Sequence, residues 1–120
     1  MSGLHKRLIR LLDEIEIPHT EEVCVGPYSM DCFSYKYWLG FEADGPHHKI
    51  QAKRDEIRDK EIMEQCQIPI LRLNAQLLGY PAKAQSVVLE FVGRWAETAP
   101  ERRQRALLSV YWGSGEKIGS

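Results

Sequence analysis

The chain has 120 residues, 43% of them apolar and 28% charged, and carries a formal net charge of −1 at pH 7. That length suits one domain and is too short for two ordinary ones, and no stretch approaches the roughly 20 consecutive apolar residues of a membrane-spanning helix. The near-neutral balance excludes a global basic field, so a nucleic-acid partner would be held by a local patch.

Leu4, Leu8, Leu11, Leu12 and Ile15 recur at helical spacing until Pro18, which predicts an amphipathic helix over 4–16. The opening MSGLHKRLIR has neither an apolar signal-peptide core nor a small-residue cleavage site. Cys24, Cys32 and Cys66 are odd in number and far apart, so a reducing cytoplasm is expected. Three β-like runs follow, EEVCVG (21–26), YSMDCFS (28–34) and YWLGFEA (37–43), separated by Gly26-Pro27 and by a link around Ser34 to Lys36. Residues 49–67 alternate charges over a thin stripe of Ile50, Ile57, Met63 and Cys66, which predicts a long, half-exposed helix. Pro69 opens PILRLN (69–74), a short buried strand, and two closing helices are expected over 83–98 and 100–112, the second with Pro100 in its first turn. The tail 113–120 reads as flexible. The order α-β-β-β-α-β-α-α predicts an α/β protein of the mixed α+β kind, with a small mixed sheet flanked by helices, in one domain over 1–112.

The stretch FEADGPHH, Phe41 to His48, sets two acids one residue apart at the end of an apolar run and follows them with a glycine, a proline and two histidines. Strand alternation puts Ser29, Asp31 and Phe33 on one face and Met30 and Cys32 on the other, and sets Trp38, Gly40, Glu42 and Asp44 on a shared face of the next strand. With a hairpin turn near Ser34 to Tyr37, Phe33 lies opposite Trp38, Asp31 lies opposite Gly40, and Glu42 becomes the diagonal neighbour of Asp31, about 7–8 Å away. Two carboxylates so placed can converge on a hard divalent cation, and without one their repulsion raises at least one pKa. Gly40 would leave room beside Asp31, and Gly45 would let the chain bend away. The alternative is a pair of solvated acids at a strand end, with Asp44-Gly45 as a simple turn.

The run from Val25 to Asn74 resembles the very-short-patch-repair-endonuclease-like branch of the PD-(D/E)XK nuclease superfamily. The resemblance rests on Asp31 in a strand, then Glu42-Ala43-Asp44-Gly45-Pro46-His47-His48, then Asp55, Arg58 and Asp59 in a helix, then Leu71-Arg72 in a strand, all in the family's order. It implies a restriction-endonuclease-like fold and a Mg²⁺-dependent endonuclease acting on duplex or structured DNA in repair, recombination or a mobile element. A bacterial or phage-infected cytoplasm is implied as the setting. Asp31, Glu42 and the carbonyl of Ala43 would be the metal ligands, with Mn²⁺ able to substitute. The superfamily's usual lysine is replaced by Asp44, so His48 becomes the candidate for activating water or protonating the leaving group, with Asp44 orienting it or touching the metal. His47 could exchange roles with His48. The missing lysine also leaves room for a different class, a catalytically inactive nuclease-fold module that only binds DNA. The family's acid in the first helix aligns with His5, and Glu14 is its possible substitute.

On the long helix, Lys53, Arg54 and Arg58 are the candidate DNA contacts, with Lys49 beside them. Arg58 is equally eligible, with Asp55 and Asp59, as scaffold, since these residues lie at helical spacing to one another. Arg102, Arg103 and Arg105, near Trp95, Tyr111 and Trp112, are either a second DNA contact or a solvated face over aromatic packing. Neither Cys-x-x-Cys nor His-x-x-x-His spacing occurs, so no zinc is expected. The large apolar residues of VVLEFVGRW and LLSVYW either complete the core or meet a second copy, which leaves monomer and homodimer both open.

Overall fold

The computed structural model describes residues 3–46 and 49–106. The first helix, α1 (Gly3–Glu14), buries His5, Leu8, Leu11 and Leu12 along one stripe, the face its periodicity predicts. Its end is closed by backbone rather than by proline. Glu16 turns left-handed (φ 57), and the N–H groups of Glu16 and Ile17 donate to the carbonyls of Asp13 (3.1 Å) and Leu12 (2.9 Å). This double bond pattern satisfies two of the helix's orphan carbonyls and brings Ile17 against Leu12 in the core.

Strands β1 (Thr20–Val25), β2 (Tyr28–Ser34) and β3 (Leu39–Asp44) form an antiparallel meander, and helix α2 (Lys49–Cys66) then crosses over to β4 (Ile70–Asn74), which pairs parallel to β3. The sheet order is β1-β2-β3-β4. Three helices and a 3-10 turn follow: α3 (Ala75–Leu78), α4 (Pro81–Trp95), the turn Ala96–Thr98, and α5 (Ala99–Ala106). The mixed sheet and the element order agree with the sequence reading. The one-turn α3 was not foreseen; Asn74 caps it by accepting the N–H of Leu77 at 2.8 Å. Helices cover both faces of the sheet. Leu8, Leu12, Phe41, Leu73 and Val88 join α1 and α4 to one face, while Met30, Phe33, Trp38, Ile62, Cys66 and Ala99 join α2 and α5 to the other. No helix among the described residues is long and apolar enough to cross a membrane. Tyr111, Trp112 and the expected tail 113–120 lie outside the described residues.

Two details of the central hairpin differ from expectation, and both bear on the site. The register is shifted by two residues: Phe33 pairs with Gly40 rather than Trp38, and Cys32 pairs with Phe41. The reason is Trp38, which leaves the strand with a left-handed φ of 54. Its buried indole donates to the carbonyl of Cys66 at 2.8 Å, fixing the turn one step later than strand propensity suggests. Gly40 therefore does not open space beside Asp31. A Cβ there would come within 2.4 Å of Met30 Sδ, so the glycine makes room for the core methionine.

The second difference is a break in alternation. Met30 and Phe33 pack in the same cluster and Cys32 in the opposite one, so β2 rotates at Asp31. Its neighbour β1 distorts at the matching position: Glu22 has φ 52, and the paired residues step from Glu21–Cys32 to Val23–Met30, passing over Glu22 and Asp31. A carboxylate thus sits where the sheet is locally irregular, a placement typical of residues aimed at a task other than ladder pairing.

Candidate functional site

At Asp31 the β2–β3 ladder passes from backbone to side chains. Extending the paired register by one step sets Asp31 opposite Glu42. The N–H of Asp31 donates to Glu42 Oε2 (2.7 Å), and the N–H of Ala43 donates to Asp31 Oδ2 (2.9 Å). Each carboxylate accepts a main-chain donor of the other strand, which orients both acids rigidly. Glu42 is buried, whereas the Asp31 side chain stays 33% exposed. Burial pushes the Glu42 carboxyl up to about 7. The charge of Asp31 and a hydrogen bond with its side chain add to that rise, while the Asp31 N–H and the Arg58 cation oppose it.

Arg58 reaches in from α2 and places Nη2 2.7 Å from Glu42 Oε1. The same guanidinium donates to the carbonyl of Ser29, lies 3.3 Å from Asp59 and covers the ring of Tyr28. From the other side of the sheet, buried His5 of α1 brings Nδ1 to 3.8 Å from Asp31 Oδ1. A second network adjoins this one. Arg72 of β4 grips Asp59 with two bonds of 2.7 Å, Asp44 at 2.8 Å and Asp55 at 3.5 Å. Burial disfavours the Arg72 cation, but the bonds and charges of Asp59 and Asp44 outweigh it and raise its pKa.

Of the candidate residues, Asp31, Glu42 and Ala43 come together, and Arg58 joins them through Glu42 instead of facing solvent. Asp44 belongs to the Arg72 network. Lys53 and Arg54 are exposed on α2. His47 and His48 lie outside the described residues. His5, not Glu14, is the α1 residue beside the carboxylates; Glu14 contacts Gln85 of α4 at 3.4 Å. Arg72 and His5 were visible only as members of a pattern, with no sign of what they touch. Arg72 pairs in register with Glu42 on the neighbouring strand, yet its guanidinium serves the acids of β3 and α2. In the second basic cluster, Arg102 is buried and held by main-chain carbonyls, so a DNA contact does not apply to it. Arg103 lies over the Tyr35 ring at 4.8 Å.

The donor set can be tested against a metal. Among the described residues, no three His, Cys, Asp or Glu side chains form a group able to hold one. Two oriented carboxylates and the Ala43 carbonyl in the same strand segment make an all-oxygen, incomplete set. Such a set suits an ion like Mg²⁺, which keeps several waters and takes the rest of its shell from a substrate phosphate. Burial is the main cause of the raised Glu42 pKa, and the neighbouring Asp31 charge adds to it, a repulsion that a bound cation would relieve.

The same carboxyl makes stability depend on pH. Folded Glu42 holds its proton up to about 7, against 4.5 for an ordinary glutamate, so the native state binds more protons between those limits. The contribution is complete below the lower value and is lost as pH rises through the upper one. Without metal, Glu42→Gln should gain on the wild type by roughly 1–3 kcal/mol between pH 5 and pH 8, read from urea midpoints. Parallel pH profiles for the two proteins would remove Glu42 as the titrating group.

No protein-family model and no curated protein matches the chain. Among solved structures, the catalytic domain of the homing endonuclease I-Bth0305I superposes with a TM-score of 0.66 at 16% sequence identity, over 78% of this chain and 97% of that one. At that identity the likeness is one of fold: this chain shares the mixed α/β architecture of that domain.

Proposed function

We propose that the protein is a divalent-metal-dependent DNA endonuclease of the very-short-patch-repair-like kind, with Asp31 and Glu42 at its centre. The observation that carries this reading is the buried Glu42 carboxylate bound across the strand pair to Asp31, on a fold shared with a homing endonuclease catalytic domain. Asp31, Glu42 and the Ala43 carbonyl would hold Mg²⁺, or Mn²⁺ in its place. When bound, the ion supplies Lewis acidity toward a phosphate oxygen and toward water. The chain's own residues do the rest. His5 steadies Asp31, and the two main-chain bonds keep both carboxylates in one orientation before substrate arrives. Arg72 anchors Asp44 to α2, which makes Asp44 an orienting group. His48, or His47 in its stead, moves the proton taken from the attacking water or given to the leaving 3′ oxygen, a duty suited to imidazole chemistry. Lys53 and Arg54, exposed on α2, neutralise DNA phosphates. The host process would be repair, recombination or a mobile element in a bacterial or phage-infected cytoplasm, with a monomer nicking and a homodimer cutting both strands.

One observation favours a second reading: Arg58 sits on Glu42 as a counter-ion, an arrangement compatible with an inactive, DNA-binding module. Supercoiled plasmid separates the two. An endonuclease converts it to nicked or linear forms with Mg²⁺ or Mn²⁺ and not with EDTA. An inactive module retards the DNA on a gel and leaves it supercoiled under every condition.

A further inference from the structure

We propose that Arg58 is an exchangeable counter-ion, which holds Glu42 while no divalent cation is bound and yields that carboxylate when one enters. The inference rests on the metal-site reading above. A buried carboxylate must be neutralised or hydrogen-bonded, because its desolvation is otherwise too costly. Here Oε2 is taken by the Asp31 N–H and Oε1 by Arg58. An entering cation would compete with Arg58 for the same negative charge.

Arg58 is built to lose that contest without losing its place. A guanidinium carries five N–H donors in a rigid fork. Those of Arg58 also serve the Ser29 carbonyl and Asp59, and its face lies over the Tyr28 ring at 5.7 Å. Giving up Glu42 therefore removes one partner of several and leaves the side chain anchored. Arg72 has no such freedom. It is bonded twice to Asp59 and once to Asp44, so each partner it could give up is an acid rather than a neutral carbonyl or ring. The route for the cation is also defined: Glu42 is closed off, while Asp31 is a third exposed. The ion would meet Asp31 first and reach Glu42 by displacing Arg58.

Calorimetric titration with Mn²⁺ alone tests this. Arg58→Met keeps the length and removes the charge, so it should bind Mn²⁺ about 10-fold tighter than the wild type, whereas Arg58→Lys should stay near wild type and Asp31→Asn should lose the site. Unchanged or weaker binding by Arg58→Met, with Asp31→Asn still defective, overturns the role of Arg58 and leaves the metal site standing. Wild-type binding by Asp31→Asn overturns both. Should Arg58→Met not fold, the wild-type protein decides: the Arg58 Nε–H resonance should shift on Mg²⁺ addition while that of Arg102 stays. A stationary Arg58 signal at saturating metal would end the proposal.

Discussion

Asp31→Asn and Glu42→Gln are each expected to slow plasmid cleavage by at least about 10²-fold, the scale of losing one oriented group that acts on transition-state charge. The isosteric amides make this a test of charge rather than of folding. An amide oxygen at position 31 can still accept the Ala43 N–H, and one at position 42 can still accept the Asp31 N–H. Both variants should therefore stay folded with cooperative unfolding, Glu42→Gln gaining in stability relative to the wild type as pH rises towards about 7, where the buried wild-type carboxyl ionises. The two should also be non-additive: once one carboxylate is gone, the site no longer gathers the charge the other contributes, so the double variant should be little slower than either single one. Cleavage at the wild-type rate by either variant would show the site to be wrongly placed.

Arg102→Met should cost roughly 3–5 kcal/mol of stability. Arg102 is 4% exposed, and its guanidinium donates to the carbonyls of Trp38 (2.6 Å), Gln67 (2.9 Å), Tyr37 (3.0 Å) and Trp95 (2.8 Å) and to Thr98 Oγ1 (2.9 Å). Those carbonyls come from the β2–β3 turn, the end of α2 and the end of α4, segments in which Trp38 and Gln67 have left-handed φ values of 54 and 58. One cation thus satisfies the acceptors that three chain ends leave over. Methionine fills the volume and pairs with none of them. Urea unfolding would measure the loss, and the cleavage rate per folded molecule should stay near wild type, because Arg102 bonds neither carboxylate. A loss under about 1 kcal/mol would mean that water replaces Arg102 at those carbonyls.

The elements were legible because their signals are local. The buried stripe of α1 follows from leucines at helical spacing. The bounds of β2, Tyr28–Ser34, coincide with the run that follows Gly26-Pro27. Sequential strands pair readily, so the closeness of Asp31 and Glu42 could be foreseen from a hairpin alone. Their mode of contact could not. The two-residue shift in register depends on Trp38, whose left-handed turn is held by the carbonyl of Cys66, far along the chain at the end of α2. The rotation of β2 at Asp31 depends on β1 distorting at Glu22.

The arginines mark the same boundary. Arg58, Arg72 and Arg102 are alike as letters, and composition assigns each the same long, basic side chain. In the fold, Arg58 neutralises Glu42, Arg72 binds together the acids of β3 and α2, and Arg102 caps carbonyls from three segments. Periodicity and turn chemistry act over a few residues, and they suffice to name the elements and bring two acids near each other. The partner of a buried charge is chosen by which distant groups are desolvated beside it, and that neighbourhood exists only once the sheet and its helices have packed.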